Sequence, residues 1–438
     1  MYDDDSAITS FTIGTVKQEV HTLSSKGLDS MYVQDVDGSR VVFYIDQANK
    51  VIFNPDSLPM GVRVSRILCT IGTKNGGVVM LKSLTSDSLS VFAGADSVDF
   101  SAPREIVVYS NSGNASRRYT VQVNVHKQPS DAMSWNSGVI NVPELAALKG
   151  MKGVACGGNV YLFGTDGTAA KLYKASESNA RKWAEVTPAT ALDKDVYTQI
   201  AVLDGTMYAY SGGKLLSSKD GMAWQTVSAE PMKKLLGASK VRLYALTEDG
   251  KIKSSSDQGV TWTADALDTS AALLPTDNVN FACLPMLTDP NAYRLVLAGT
   301  SADGTRVWGK IEENDRYAEP QPWSYYDLMD GNAGSLPNLS GLQMIAYDGA
   351  LLAFGGAGMS PTVAQPFANF WQSNDGGLSW KAAKAIVKPA GFDDKAGAFA
   401  MLCDANNYIW LACGGTAQVW HGRINRLGWA QPQTYFTE

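Results

Sequence analysis

The side chains best suited to chemistry in this 438-residue chain gather in a few stretches of its C-terminal half. Tyr325 and Tyr326 are followed at once by Asp327, with Asp330 shortly after. Glu312 and Glu313 stand adjacent, as do Asp393 and Asp394, the latter pair directly after Phe392. Paired carboxylates are the working groups of most glycosidases. Aromatic faces beside amides and carboxylates suit a sugar or an extended peptide, and Phe367, with Met359 and Gln365 upstream, adds to that supply. The expected ligand-binding set is therefore Tyr325, Tyr326, Asp327, Phe367, Phe392, Asp393 and Asp394. Adjacent acids in a loop are more often solvated than catalytic, so no residue is assigned a catalytic role.

Other chemistries find less support. The three histidines, His21, His126 and His421, lie far apart, and none has a neighbour at metal-ligand spacing. No Gly-rich phosphate loop with a following Lys occurs, so neither a metal nor a cofactor is expected. The net charge of −6, without a basic run, carries no nucleic-acid footprint. No stretch approaches the roughly 18 consecutive apolar residues of a membrane span. Five cysteines make no CxxC pair. Cys156, Cys283, Cys403 and Cys413 sit in small or apolar runs and read as compact buried thiols; a Cys403–Cys413 bridge across a hairpin is the alternative.

These residues must be positioned by a repeat. From about residue 131 onward the chain repeats a unit roughly 40 to 60 residues long, the mark of a propeller or another array. Each unit has an apolar strand, a turn, a second strand, a Gly-rich loop, a third strand, and a close at Trp. The closing residues are Trp183, Trp224, Trp262, Trp323, Trp380 and Trp429. Six four-stranded blades are expected, with seven as the alternative. Trp135 with Val139–Val142 reads as a lone outer strand that either completes the last blade or begins a partial seventh. The loops Ser324–Gln343, Gly355–Asn369 and Ala385–Ala398 are long and flank the fourth and fifth units.

Within the units a short pattern recurs. Ser255-Ser256-Asp257-Gln258-Gly259-Val260-Thr261-Trp262 matches Ser373-Asn374-Asp375-Gly376-Gly377-Leu378-Ser379-Trp380, and Ser218-Lys219-Asp220-Gly221-Met222-Ala223-Trp224 is one residue shorter. This resembles the Asp-box, or bacterial neuraminidase repeat, of sialidases and many non-enzymatic β-propellers. The resemblance implies a structural role at the periphery for Asp220, Trp224, Ser255, Asp257, Gly259, Trp262, Ser373, Asp375, Gly377 and Trp380. The carboxylate would accept backbone N–H bonds across a tight turn, the glycine would allow positive φ, and the Trp would bury a face against a neighbour.

The resemblance to sialidases stops short of their chemistry. That family needs three arginines on the substrate carboxylate, a Tyr nucleophile paired with Glu, and an Asp acid/base. No Arg-Ile-Pro motif occurs, and Arg181 is the only arginine between Gln128 and Val241. The later arginines Arg242, Arg294, Arg306, Arg316, Arg423 and Arg426 form no recognisable set. Sialidase-like hydrolysis at the propeller mouth is kept as the rival to simple binding.

Residues 1–127 read differently, as short β-rich runs between polar turns. Expected strands include Ile8–Ile13, Val51–Asn54, Val64–Ile71, Val78–Leu81, Glu105–Ser110 and Arg118–His126, the last alternating apolar and polar residues. The order of Ile8-Thr9-Ser10-Phe11-Thr12-Ile13, Val51-Ile52-Phe53, Ser57-Leu58-Pro59 and Tyr119–Val123 resembles the immunoglobulin-like domains at the front of Bacteroidetes surface lipoproteins. The acidic opening Asp3-Asp4-Asp5 resembles the stretch after the lipidated cysteine of such proteins. Together these expectations describe an all-β chain: an immunoglobulin-like β-sandwich (1–127), a linker (128–134) and a six-bladed β-propeller (135–438). On the resemblance it is a secreted, outer-membrane or cell-surface lipoprotein, held to the membrane only by a lipid anchor. It would be monomeric and would bind a glycan or a surface protein without catalysis.

Overall fold

A computed structural model describes residues 3–23, 29–127, 132–136, 138–314, 319–327, 334–356, 367–393, 396 and 398–425. The described chain is all β apart from short 3-10 turns and divides into two compact units, Met1–Ala132 and Met133–Gly428.

The first unit holds a six-stranded sheet in the order Tyr44–Asp46, Val51–Phe53, Ser116–Gln122, Arg104–Tyr109, Val78–Lys82, Leu89–Val91. Ile8–Ile13 pairs with Cys69–Thr73, and Thr15–Leu23 with Asp29–Asp37. The alternation around Tyr119 works as expected: Tyr119 and Val121 are buried while Thr120 and Gln122 are exposed. They join Ile8, Phe11, Ile52 and Val108 in one core. Two expected strands are corrected. The run from Val64 enters a strand only at Cys69. The last strand stops at Gln122, because Asn54 takes over the backbone of Asn124: its Oδ1 accepts from Asn124 N at 2.7 Å and its Nδ2 donates to Asn124 O at 2.9 Å.

The second unit is a six-bladed propeller. Blade one comprises Gly150–Cys156, Asn159–Thr165, Ala170–Ser176 and Asn179–Glu185. Blade two comprises Ile200–Leu203, Thr206–Ser211, Lys214–Ser218 and Gln225–Ser228; blade three comprises Lys234–Ala238, Leu243–Leu246, Ile252–Ser255 and Thr263–Ala264. Blade four comprises Asp277–Pro285, Ala292–Ser301, Gly304–Glu313 and Ser324–Tyr325; blade five comprises Gln343–Tyr347, Ala350–Phe354, Trp371–Ser373 and Lys381–Ala382. Blade six takes Phe399–Cys403, Ile409–Cys413 and Gln418–Ile424 from the end of the unit, and its outer strand Met133–Trp135 from the beginning. Ile140–Asn141 pairs with the same third strand. The lone strand at Trp135 therefore fastens the ring and starts no seventh blade. Trp429, expected to close blade six, lies outside the described residues, and the blade is complete without it.

The first strand of every blade touches the first strand of the next, and that of blade six touches that of blade one, so six innermost strands enclose an axis. Six apolar clusters fill the six seams between adjacent blades. The cysteines are free. Cys413 faces Phe399 while Cys403 faces Ile409, so the ladder holds the two thiols at opposite ends and no bridge forms.

The recurring Ser-x-Asp turns join the third and fourth strands of blades two, three and five. In blade five, Ser373 Oγ accepts from Gly377 N at 2.8 Å, and Asp375 accepts from Ser379 N at 2.9 Å and Ser379 Oγ at 2.5 Å. Trp380 Nε1 donates to Gly377 O at 3.0 Å. Blade three repeats every one of these bonds through Ser255, Asp257, Gly259, Thr261 and Trp262. In the shorter blade-two turn, Asp220 accepts from Met222 N and Ala223 N, and Trp224 Nε1 donates to Gly221 O at 2.8 Å. The turn glycine is needed twice over. Gly259 has φ +95, and a Cβ there would stand 2.2 Å from Leu215 Cδ2 of blade two. Gly221 likewise meets Leu172 of blade one, and Gly377 meets Val296 and Val307 of blade four. Each turn thus clasps the preceding blade.

Two outcomes follow. Trp380 is fully buried whereas Trp262 is only half-buried. Trp380→Ala is expected to destabilise the propeller by about 3–5 kcal/mol and Trp262→Ala by clearly less; equal shifts in a urea midpoint would contradict the seam assignment. Thr261, by its hydroxyl and then its amide, holds the Asp257 carboxyl down at about 2, below its ordinary 3.8. A depressed carboxylate contributes stability that is present above its unfolded pKa and lost as pH falls through the folded one. Thr261→Val should therefore raise the Asp257 pKa and move acid unfolding to higher pH, read by carboxyl NMR titration and circular dichroism.

Candidate functional site

The residues expected to form a ligand site are distributed over three seams. Tyr325 and Tyr326 are neighbours at blade four's outer strand, and successive residues of a strand face opposite sides. Tyr325 packs into the seam between blades three and four, its ring 5.3 Å from that of Trp308, and its hydroxyl accepts from Arg306 at 3.0 Å. Tyr326 packs into the seam between blades four and five. Phe367 and Phe392 are corrected outright: they are 3% and 7% exposed, both rings packing at a tilt on Phe354 and Phe367 also edge-on to Phe399, between blades five and six. Burial in a blade seam repays an aromatic ring more than an open rim does. Asp327 is exposed and Asp393 half-buried. Asp394, Asp330, Arg316, Arg426, Met359 and Gln365 lie outside the described residues.

A Tyr–Glu pair does exist, at positions the sequence did not single out together. Tyr244 Oη donates to Glu312 Oε1 at 2.6 Å, and Arg242 Nε stands 3.4 Å from the same oxygen. Tyr244 has no exposed surface and Glu312 is 4% exposed. Burial, followed by the Glu312 charge, pushes the Tyr244 phenol far above its ordinary value. A nucleophilic phenolate needs the opposite shift. Beside it, Lys310 and Asp265, each 7% exposed, pair at 2.5 Å, and Trp323 Nε1 donates to the same carboxylate at 3.1 Å. The remaining arginines are separated. Arg294 approaches Tyr326 at 3.5 Å, Arg306 pairs with Asp303, and Arg423 lies 4.4 Å over Tyr408. Among the described residues no three arginines converge.

The polar residues that do share one place lie around the axis. An antiparallel four-stranded blade puts its first-to-second and third-to-fourth turns on one rim, and its second-to-third turn and the link to the next blade on the other. The Ser-x-Asp turns mark the first rim, so the innermost strands begin at the opposite one. Near that beginning three of the blades present a residue at a common level. Lys152, Gln199 and Gln343 each stand four residues before the pair that closes the blade's first turn, Cys156–Asn159, Leu203–Thr206 and Tyr347–Ala350 respectively. Two of these, Gln199 and Gln343, together with Asn280 of blade four, are amides that take up the free backbone edge of the next blade. Gln199 accepts from Leu235 N at 3.2 Å, Asn280 from Met344 N at 3.2 Å, and Gln343 from Met401 N at 2.8 Å. Gln343 also donates to Phe399 O of blade six and, beyond it, to Met151 O of blade one at 3.2 Å.

The register of those bonds places Lys234 in blade three where Gln343 stands in blade five, since the backbone N–H following each donates to the amide oxygen of the preceding blade. Two of the ring positions are therefore lysines. Lys152 and Lys234 are both half-buried. Burial, with repulsion from Lys234, pushes Lys152 down to about 8, and burial also lowers Lys234, against an attraction from Asp277. Blade two lies between their strands, yet the two charges are near enough to repel each other. The available signal was a Lys inside each apolar inner strand, Met151-Lys152-Gly153-Val154 and Lys234-Leu235-Leu236.

A cation held at a lowered pKa costs stability while it stays charged. With Lys152 at about 8 against an ordinary 10.5, that cost is present in full below pH 8 and fades as pH rises toward 10.5. Lys152→Met should accordingly raise the melting temperature at pH 7, by roughly 2–4 °C, with the gain shrinking above pH 10. A variant less stable at both pH values would show that the ammonium is matched by a partner.

No curated protein matches the sequence significantly. Among solved structures, YCF48 from Cyanidioschyzon merolae is 12% identical, covering 66% of this chain and 98% of its own, with a TM-score of 0.35. The family AA12 carbohydrate-active enzyme of Trichoderma reesei is 11% identical, covering 69% of this chain and 100% of its own, with a TM-score of 0.41. The gluconolactonase XC5397 of Xanthomonas campestris is 12% identical, covering 68% and 99%, with a TM-score of 0.36. Likenesses at this level carry no argument about function. A family model described as the DUF6242 beta propeller domain matches residues 129–432, and one described as the DUF6242 N-terminal domain, a domain of unknown function, matches residues 11–123. The chain belongs to the DUF6242 family.

Proposed function

We propose that this protein is a non-catalytic binding protein of the cell surface, carrying an immunoglobulin-like spacer and a propeller whose Ser-x-Asp turns are Asp-boxes. Its ligand, a glycan or a surface protein, docks on the propeller rim opposite those turns. The observation that carries this reading is the separation of reactive groups from access. The Tyr244–Glu312 pair, the nearest approach to hydrolase chemistry, is sealed in a seam, while the axial lysines keep accessible surface where the innermost strands begin. Rigid scaffolds present ligands with rim loops, and those of blades four to six are the longest here. The lipid-anchored, monomeric display inferred from the acidic N-terminus and the front domain belongs to the same proposal. Fold alone assigns no function, so the test must be direct.

A glycan array probed with the full chain and a panel of fluorogenic glycosides separate binding from hydrolysis. Retention on glycans without turnover is the expected result. Turnover abolished by Tyr244→Phe or Glu312→Gln would overturn the binding reading. A blank array together with an inert panel would eliminate glycans and leave a protein ligand, to be sought by crosslinking at the cell surface.

A further inference from the structure

We propose that the axial mouth opposite the Ser-x-Asp turns is an anion site, in which Lys152 and Lys234 hold a carboxylate, sulfate or phosphate group presented by the ligand. The inference rests on the binding reading above and specifies the chemistry of its ligand.

The argument begins with what the ring does in its other positions. Gln199, Asn280 and Gln343 give their amides to the backbone edge of the next innermost strand. A backbone edge offers one N–H and one C=O, which an amide matches and an ammonium cannot, because lysine carries donors only. Lys152 and Lys234 therefore leave the clasp incomplete where they stand. Among the described residues neither makes a hydrogen bond or an ion pair. Asp277, which attracts Lys234, remains beyond ion-pair distance and is exposed. The two cations, both half-buried, thus stand near enough to repel each other. Placing like charges together in reduced dielectric is unfavourable unless an opposite charge completes the arrangement. An anion between them would reverse that interaction from repulsion to a charge-assisted hydrogen bond on each side.

The neighbours of the site suit a group entering end-on. Gly150 and Gly153 flank Lys152 on its strand, and a Cβ at either would collide with Tyr197 or Leu402, so the inner strand of blade one is closely walled on both sides. The group proposed is therefore a compact tetrahedral or planar anion. A long polymer would present its acidic terminus or a side substituent.

Calorimetric titration of the full chain at pH 7 with sodium glucuronate, inorganic sulfate and inorganic phosphate, and with glucose as the uncharged control, tests the site. At least one anion should bind where glucose does not, and the tightest of the three identifies the group. Lys152→Met and Lys234→Met should each weaken binding at least tenfold, with Lys152→Arg and Lys234→Arg retaining it. Equal affinity in the wild type and the Met variants would mean an adventitious ion only and would overturn the proposal, as would the absence of heat with all three anions. Should a Met variant fail to fold, the wild type supplies a second readout: at pH 8, binding beside a partly deprotonated lysine draws in a proton, so the heat must differ between Tris and HEPES buffers. No difference would overturn the assignment. Retention of neutral glycans alone on the array sinks the anion site but leaves the binding reading. Lysine-dependent anion binding together with glycoside turnover abolished by Tyr244→Phe does the reverse, and a blank array with such binding leaves an acidic protein as the ligand.

Discussion

The architecture depends on how one blade is locked to the one before it. In blades two, three and five a glycine of the Ser-x-Asp turn lies against the apolar side chains of the preceding blade, so closely that a single added carbon would overlap them in blades two and three and press on them in blade five. The Ser and Asp oxygens hold that turn in shape, and the Trp indole ties the outer strand back to the glycine carbonyl. No blade has a core of its own, since a single four-stranded sheet has two faces and nothing inside. Its stability comes from the six seams, and the ring is stable because the strand at Met133–Trp135 completes the last of them.

That constraint decides where chemistry can and cannot be. Side chains on the blade faces are committed to seams, so even ionisable groups there, Tyr244, Glu312, Lys310 and Asp265, are shut away from any substrate. What keeps accessible surface is Lys152, Gln199 and Lys234 of the axial ring, together with the turns at the rims. The ring is itself largely structural: three amides continue the backbone hydrogen bonding from one innermost strand to the next, a second and inner closure to complement the outer turns. Lys152 and Lys234 break this pattern, and they do so at some expense in stability. A residue held against its electrostatic preference on a rigid scaffold is the kind of position at which function is found.

Much of this was legible along the chain, and the reason is local. Turn geometry, strand alternation and a closing Trp are set by residues within a few positions of one another, so the repeats, the blade count, the turn bonds of Asp257 and Asp375, and the alternation around Tyr119 can be read from neighbours alone. The site was far less legible. Tyr325 and Tyr326 look like a pair, yet the two-residue period of a strand sends them into different seams. Phe367 and Phe392 sit in polar-flanked loops that look exposed, but they return to the core between blades five and six.

The sequence by itself determined that this is a ring of repeated β units locked by Ser, Asp, Gly and Trp, because those interactions close within one turn. Only the tertiary structure decided which residues meet at the axis. Lys152 and Lys234 are separated by an entire blade, and Gln343 reaches Met151 across nearly the whole propeller sequence. Their encounter is a consequence of ring closure, and no local pattern encodes it.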